Sequence, residues 1–175
     1  MNKKKILFFD DEKIAKTLQK DLELFDLDVT LVSNVTDFFK QIVSNNVYDV
    51  LLMDVMAPVS EEEQNEYFSP EGVKDLERYI GTGEVLMNIV RGELGIGEVL
   101  TKIVKCPVIE EKVNVKNETI RRILEEKKYA DTPVLFYSNR TYVDAETFGK
   151  NAKFLKKPQF TETIVETINE ISNIK

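Results

Sequence analysis

The chain contains no histidine, and that absence removes whole classes of chemistry. It cannot run a Ser-His-Asp or Cys-His relay, build a His-ligated metal site, or carry a phosphohistidine step on its own side chains. If it handles phosphate through histidine, that histidine belongs to another protein. Cysteine is nearly as scarce: Cys106 is the only one. A disulfide framework and a thiolate zinc site are excluded, and a reduced, cytoplasmic setting is expected. Placed just ahead of Pro107, Cys106 reads as an inert residue. Long apolar runs are also missing. Nowhere do ~18 apolar residues follow one another, so no membrane span is expected. Ile6 to Phe9, behind the basic Met1 to Lys5, is too short for a signal peptide. Positive charge is in the minority, with Lys plus Arg at 24 against Asp plus Glu at 31, a net charge of −7. Such a domain repels phosphate backbones, which argues against nucleic-acid binding. The run Lys3 to Lys5 reads as a solvated tip before a strand.

What is present is a regular alternation. A chain of 175 residues suits one domain, or one domain carrying an insertion, and buries about 70% of its unfolded surface. Lys5 to Phe9 is a short apolar run ending in Asp10-Asp11-Glu12, the pattern of a buried parallel strand. From Lys13 to Phe25, apolar residues at Ile14, Ala15, Leu18, Leu22 and Phe25 have helical spacing. Asp28 to Val32 predicts a second strand, and Ser33 or Asn34 a cap for a helix running to about Asn45. Tyr48 to Met53 predicts a third strand, closing on Asp54.

The alternation stops at Val59 and resumes after Asn117. Glu118 to Tyr129 predicts a helix and Thr132 to Tyr137 a fourth strand. A short helical stretch over Asp144 to Lys150 and a fifth strand over Lys153 to Lys156 follow. Thr161 to Ile174 closes the chain as an amphipathic helix with Ile164, Val165, Ile168, Ile171 and Ile174 on one stripe. Repeated βα units call for a parallel sheet covered on both faces. Five strands fit a flavodoxin-like, doubly wound α/β sheet of order 2-1-3-4-5. We therefore expect a single domain over 1–175, with a mainly helical insertion over 59–117.

The insertion holds a repeat: Gly83 to Arg91 recurs fourteen residues later as Gly97 to Lys105. Fourteen residues are nearly four helical turns, so both apolar patches would face one way on a continuous helix. Gly92, Gly95 and Gly97 weaken that helix, and a bent helix or a hairpin fits equally. Packing against the parent domain is the favoured reading of the stripe. A partner or homodimer surface is the alternative. Glu61 to Glu63 reads as a solvated acidic run.

In a parallel sheet, residues at the carboxyl ends of the strands share one crevice. Read in turn, those ends carry Asp10-Asp11, Asp54, Ser138 and Lys157. Clustered carboxylates repel one another, and a hard divalent cation with oxygen ligands relieves the repulsion. Each residue has a plainer reading. Asp10 and Asp11 could cap the first helix, Asp54 could be a solvated carboxylate, Lys157 a surface lysine and Ser138 a turn residue. Jointly, the plain readings require four coincidences in one crevice.

These pieces resemble a known family. Ile6 to Glu12, Leu51 to Pro58, Pro133 to Ser138 and Phe154 to Pro158 resemble the response-regulator receiver domain, the CheY-like phosphoaspartate switch of two-component signalling. With the final helix, the resemblance covers about residues 3–58 and 118–175. It implies that Asp54 takes a phosphoryl group from a histidine kinase or phosphotransfer protein. Asp11, Asp54 and the Met56 carbonyl would hold Mg²⁺, with Asp10 helping through water. Lys157 and Ser138 would contact the phosphoryl oxygens. It also implies a cis Lys157–Pro158 bond and a signalling role for Phe154. Met56 and Arg140 would stand at the two positions that set the phosphoaspartate lifetime. Neither is a ready water-activating group, so slow self-dephosphorylation is expected. A half-life as short as that of a fast chemotaxis-type regulator would contradict this.

The resemblance also has departures. The segment 59–117 separates Asp54 from Ser138 by far more chain than the family uses, and Val59 to Glu63 replaces its usual Asp-Gly. Signalling would proceed by binding an unnamed downstream protein. A phosphate-independent interaction module is the alternative. A haloacid-dehalogenase-type phosphatase fits poorly, because that family wants Asp-x-Asp where this chain has Asp10-Asp11-Glu12.

Overall fold

The computed structural model describes residues 3–67, 81–91, 108–109, 112–113 and 118–174. The elements run β1 (Lys4–Phe9), α1 (Ala15–Glu23), β2 (Leu27–Val32), α2 (Val35–Ile42), β3 (Val50–Met53), α3 (Glu61–Tyr67) and α4 (Thr82–Arg91). They continue with β4 (Val108–Ile109), β5 (Lys112–Val113), α5 (Glu118–Glu126), β6 (Val134–Ser138), a 3-10 turn (Ala145–Phe148), β7 (Ala152–Lys156) and α6 (Thr161–Ser172). Five strands form one all-parallel sheet of order β2-β1-β3-β6-β7. Counted within that sheet, this is the expected 2-1-3-4-5. Strands β4 and β5 form a separate antiparallel pair, which the expectation of a mainly helical insertion over 59–117 did not anticipate.

Strand side chains alternate between faces, and the two cores follow that period. Ile6 and Phe8 of β1 join Val50 and Leu52 of β3 under α1 and α6. Leu7 and Phe9 join Leu51 and Met53 in the other core, where Phe38, Phe39, Ile120 and Ile123 pack. With both faces covered, the central strands carry no polar alternation, as the apolar run Ile6 to Phe9 implied.

The helix ends follow local chemistry. Asn34 caps α2, its side-chain oxygen accepting from the Asp37 N–H at 2.8 Å. α5 stops at Glu126 because Lys127 takes a left-handed conformation (φ 46°), three residues before the expected end at Tyr129. Ile14 and Phe25 flank α1 instead of lying on its buried stripe, and both are exposed. Ile174 likewise falls past the end of α6 and is exposed, while Ile164, Ile168 and Ile171 are fully buried.

Two features of 59–117 differ from, or sharpen, the sequence reading. Glu63 is buried: it accepts from the Ser60 N–H at 3.0 Å while Ser60 Oγ accepts from the Glu63 N–H at 3.3 Å, a capping box at the start of α3. Its other oxygen accepts from the Thr36 N–H in α2 at 2.8 Å. α4 carries the first copy of the repeat, and Val85, Leu86, Met87, Ile89 and Val90 are all fully buried in the same core as Phe136 and Phe148. For this copy the packing reading holds. The second copy, Gly97 to Lys105, and Cys106 lie outside the described residues.

α4 enters the core through a close approach. A Cβ placed on Gly83 would stand 2.3 Å from the Asp54 carbonyl oxygen, well inside contact distance and against rigid backbone. Gly83→Ala is therefore expected to push α4 off the Asp54 loop, at a cost of about 1–3 kcal/mol, read as a fall of several degrees in Tm. An unchanged Tm would mean that the helix is not seated there.

Candidate functional site

Three strands bring ionisable residues to the carboxyl edge of the sheet, β1 and β3 as neighbours and β7 one strand further along, beyond β6. Asp54 follows β3, Asp10 follows β1, and Lys157 follows β7. The backbone fixes the first two: Asp10 N–H donates to the Val32 carbonyl at 3.0 Å, and Asp54 N–H to the Phe9 carbonyl at 2.8 Å. Asp10, Asp54 and Lys157 are buried although each is ionisable, which proteins tolerate only where charges are paired. Here they are. Lys157 Nζ lies 2.6 Å from Asp10 Oδ2, 3.1 Å from Asp54 Oδ2 and 2.9 Å from Glu12 Oε2.

The expected residues divide as follows. Asp10, Asp54 and Lys157 meet in direct ion pairs, and an Asp11 oxygen lies within 4.8 Å of oxygens of Asp10 and Asp54, although its residue is exposed. Met56 borders the same pocket: its backbone N–H donates to Asp54 Oδ1 at 3.2 Å while the residue as a whole is exposed. Ser138 is fully buried at the adjoining strand end, its Oγ accepting from the Arg140 N–H at 3.5 Å and its carbonyl from the Lys157 N–H at 2.9 Å. Phe154 is half-buried opposite Phe136 in the β6-β7 register. The Lys157–Pro158 bond is cis.

Capping does not explain the acidic pair. The N-cap of α1 is Ile14, and Asp10 Oδ1 instead accepts from the Glu12 N–H at 2.8 Å, turning the chain back into the pocket. Glu12 is a member of this charge cluster to which the sequence reading gave no role. It bonds Lys157 with one oxygen and accepts from Asn139 Nδ2 at 3.1 Å with the other. Its place in the Asp-Asp-Glu run was the available signal.

Three carboxylates thus share one ammonium group, with Asp11 close beside them, and this excess of negative charge acts on their proton affinities. Burial pushes the Asp10 carboxyl above its ordinary value, only partly countered by Lys157, with the Asp54 charge adding to the rise. Burial is the main cause for Asp11 too, followed by the Asp54 and Glu12 charges against a local backbone hydrogen bond. Burial alone would lower the Lys157 ammonium, but its bonds to Asp10 and Glu12 and the Asp54 charge carry it above the usual lysine range. An acid with a raised pKa binds more protons folded than unfolded. Asp10 and Asp11 therefore favour the fold at low pH and weaken it as pH rises from about 3.8 through their raised values.

The donor set suits a hard divalent cation: three carboxylates able to converge, no sulfur or imidazole, and excess negative charge. Mg²⁺ at ten times its Kd is expected to stabilise the fold by roughly 1.4 kcal/mol, a few degrees in Tm for a chain this size. EDTA should reverse the gain. A Tm indifferent to Mg²⁺ would remove the metal from the reading.

Beside the pocket, a cleft of about 370 Å³ runs between α1 and the start of α6, lined by Glu12, Ile14, Leu18, Tyr137, Pro158 and Thr161 among others. No helix among the described residues is long and apolar enough to cross a membrane.

No protein-family model matches the chain, and neither does any curated protein. Solved structures do. The chain is similar to the receiver domain of a Francisella response regulator, at 18% identity and TM-score 0.52, covering 97% of this chain and 96% of that one. It is similar to the non-phosphorylated HemR receiver domain from Leptospira biflexa, at 15% identity and TM-score 0.54, over 99% and 97%. It is also similar to the response regulator TrrA from Thermotoga maritima in complex with Mg²⁺-BeF, at 16% identity and TM-score 0.52, over 96% and 98%. With the sheet order and the helices on both faces, these likenesses give the conclusion that the chain has the fold of a response-regulator receiver domain.

Proposed function

We propose that this protein is a phosphoacceptor switch, in which Asp54 takes a phosphoryl group from the phosphohistidine of a partner kinase or phosphotransfer protein. The observation that carries the reading is the buried Lys157 ammonium shared by Asp54, Asp10 and Glu12 at the ends of parallel strands. The Mg²⁺-BeF complex of a neighbour of the same fold supports it. The unit would be a single domain over 1–175 with 59–117 inserted in it, a division supported by the burial of α4 in the common core.

An Asp54 carboxylate oxygen attacks phosphorus, forming a P–O bond as the bond to the donor breaks. The leaving group departs with that electron pair, as imidazole from phosphohistidine or acetate from acetyl phosphate. Lys157 is placed to exchange a carboxylate partner for a phosphoryl oxygen, so its charge follows the charge being transferred. The Ser138 hydroxyl would donate to a second oxygen once the group has arrived. Asp11, Asp54 and the Met56 carbonyl, with Asp10 assisting, would hold Mg²⁺, which would neutralise charge on the phosphoryl oxygens. The chain would act on no external substrate beyond its own phosphorylation and dephosphorylation. Its output would be altered binding to another protein.

Incubation with Mg²⁺ and acetyl phosphate should add one phosphoryl group by intact mass, and EDTA should prevent it. No adduct under conditions that label an ordinary receiver domain would overturn the proposal for that donor and favour phosphate-independent binding.

A further inference from the structure

α4 reaches the rim of this pocket from a segment to which the sequence assigned no chemistry. Its first turn sits on the loop after Asp54: Gly83 N–H donates to the Val55 carbonyl at 3.3 Å, and Thr82 Oγ1 to the Ala57 carbonyl at 2.6 Å. Glu84, the next residue, makes two bonds. It accepts from the Gly81 N–H at 3.0 Å, closing the first turn, and it forms an ion pair with the Arg140 guanidinium. Arg140 stands two residues beyond Ser138, and its own N–H reaches Ser138 Oγ. The paired side chains are 29% and 18% exposed, so the pair is partly withdrawn from water. One ion pair therefore ties together the two loops that flank Asp54, the loop after β3 through α4 and the loop after β6 through Arg140.

We propose that Glu84 is a positioning residue that holds Arg140 in reserve for the phosphoryl group. The inference rests on the phosphoacceptor reading of Asp54. While Asp54 carries a single negative charge, the guanidinium stays with Glu84. A phosphoryl group on Asp54 adds charge and three acceptor oxygens beside the same rim, and a guanidinium fork matches such oxygens bidentately. The two acceptors then compete for one cation. Glu84 lowers the apparent affinity of the pocket for the phosphoryl group by the work of opening the pair. When Arg140 leaves, α4 loses its tether to the β6 loop while keeping its own first-turn cap. Phosphorylation is thereby coupled to the helix that opens the segment beyond the acceptor loop.

The test is equilibrium binding of beryllofluoride, a stand-in for the phosphoryl group, with Mg²⁺ on the full chain by calorimetry. Glu84→Gln keeps an acceptor for the Gly81 N–H and removes the charge. It is expected to bind about five- to tenfold tighter than wild type, whereas Arg140→Gln should bind more weakly. In the double variant the gain should vanish, because the reserve cation is gone. Equal affinity of wild type and Glu84→Gln overturns the inference while leaving the phosphoacceptor reading intact. A gain that survives in the Arg140→Gln background also overturns it, since Glu84 would then act through its own charge. A wild type that neither binds beryllofluoride nor takes the acetyl phosphate adduct fails the underlying reading instead. Glu84→Asp, which keeps the charge but shortens the reach, is the second variant should Glu84→Gln melt early, with the same gain expected and the same loss of it on Arg140→Gln.

Discussion

Asp54→Asn is expected to take no phosphoryl group from acetyl phosphate and, without Mg²⁺, to melt above the wild type. The first effect is chemical. An amide oxygen is too poor a nucleophile to displace the donor, and among the described residues no other carboxylate stands between Lys157 and the Met56 N–H as Asp54 does. The second effect is electrostatic. Asp10, Asp11, Glu12 and Asp54 gather around one ammonium group, and removing one negative charge relieves repulsion that Lys157 alone does not cancel. With Asp10 and Glu12 still paired to Lys157, the net gain is put at roughly 1 kcal/mol, about 2–4 °C in Tm. The variant should also respond less to Mg²⁺. An adduct of undiminished yield in Asp54→Asn would place the acceptor elsewhere.

Lys157→Met is expected to be damaging in two ways. It removes the only cation in direct contact with the Asp54 carboxylate among the described residues, and the rate of adduct formation should fall by a factor on the order of 100, the scale of losing one charged transition-state donor. It also strands Asp10 and Asp54 as buried, unpaired carboxylates, for which a loss of about 3–5 kcal/mol is typical. Because the Lys157 ammonium is raised above its ordinary value of 10.5, its stabilisation is fully present below that pH and is lost as pH rises through the shifted value. The wild-type advantage should therefore hold across the neutral range. Mg²⁺ neutralises the same carboxylates, so it should narrow the Tm gap between variant and wild type. A gap that Mg²⁺ leaves unchanged would mean that the methionine harms packing, not charge balance.

The strand ends were legible because a buried parallel strand leaves an unambiguous trace: Ile6 to Phe9 and Leu51 to Met53 have no polar break, and the first polar residue after each marks the crevice. Asn34 was legible as a cap for the same local reason. Glu63 was not. A glutamate in a run of three looks solvated, and only the approach of the α2 backbone, with Thr36 N–H 2.8 Å away, makes a buried acceptor of it. Glu12 was quoted within a motif, but its bonds run to Asn139 and Lys157, more than a hundred residues along the chain.

The sequence by itself determined the strands and helices and their alternation, through apolar runs and helical periods that are local properties of the chain, and the sheet order followed from the doubly wound fold that such an alternation fits. It also determined that carboxylates and one lysine meet at the sheet's edge, because every parallel strand delivers its last residue to the same side. Tertiary structure decided the rest. α4 lies against Asp54 because Gly83 leaves room for the Asp54 carbonyl, and Glu84 finds Arg140 because two separate loops converge. Neither pairing has a period or spacing to announce it. Long-range pairs depend on where several elements end in space, and a linear pattern encodes only each element's own preference.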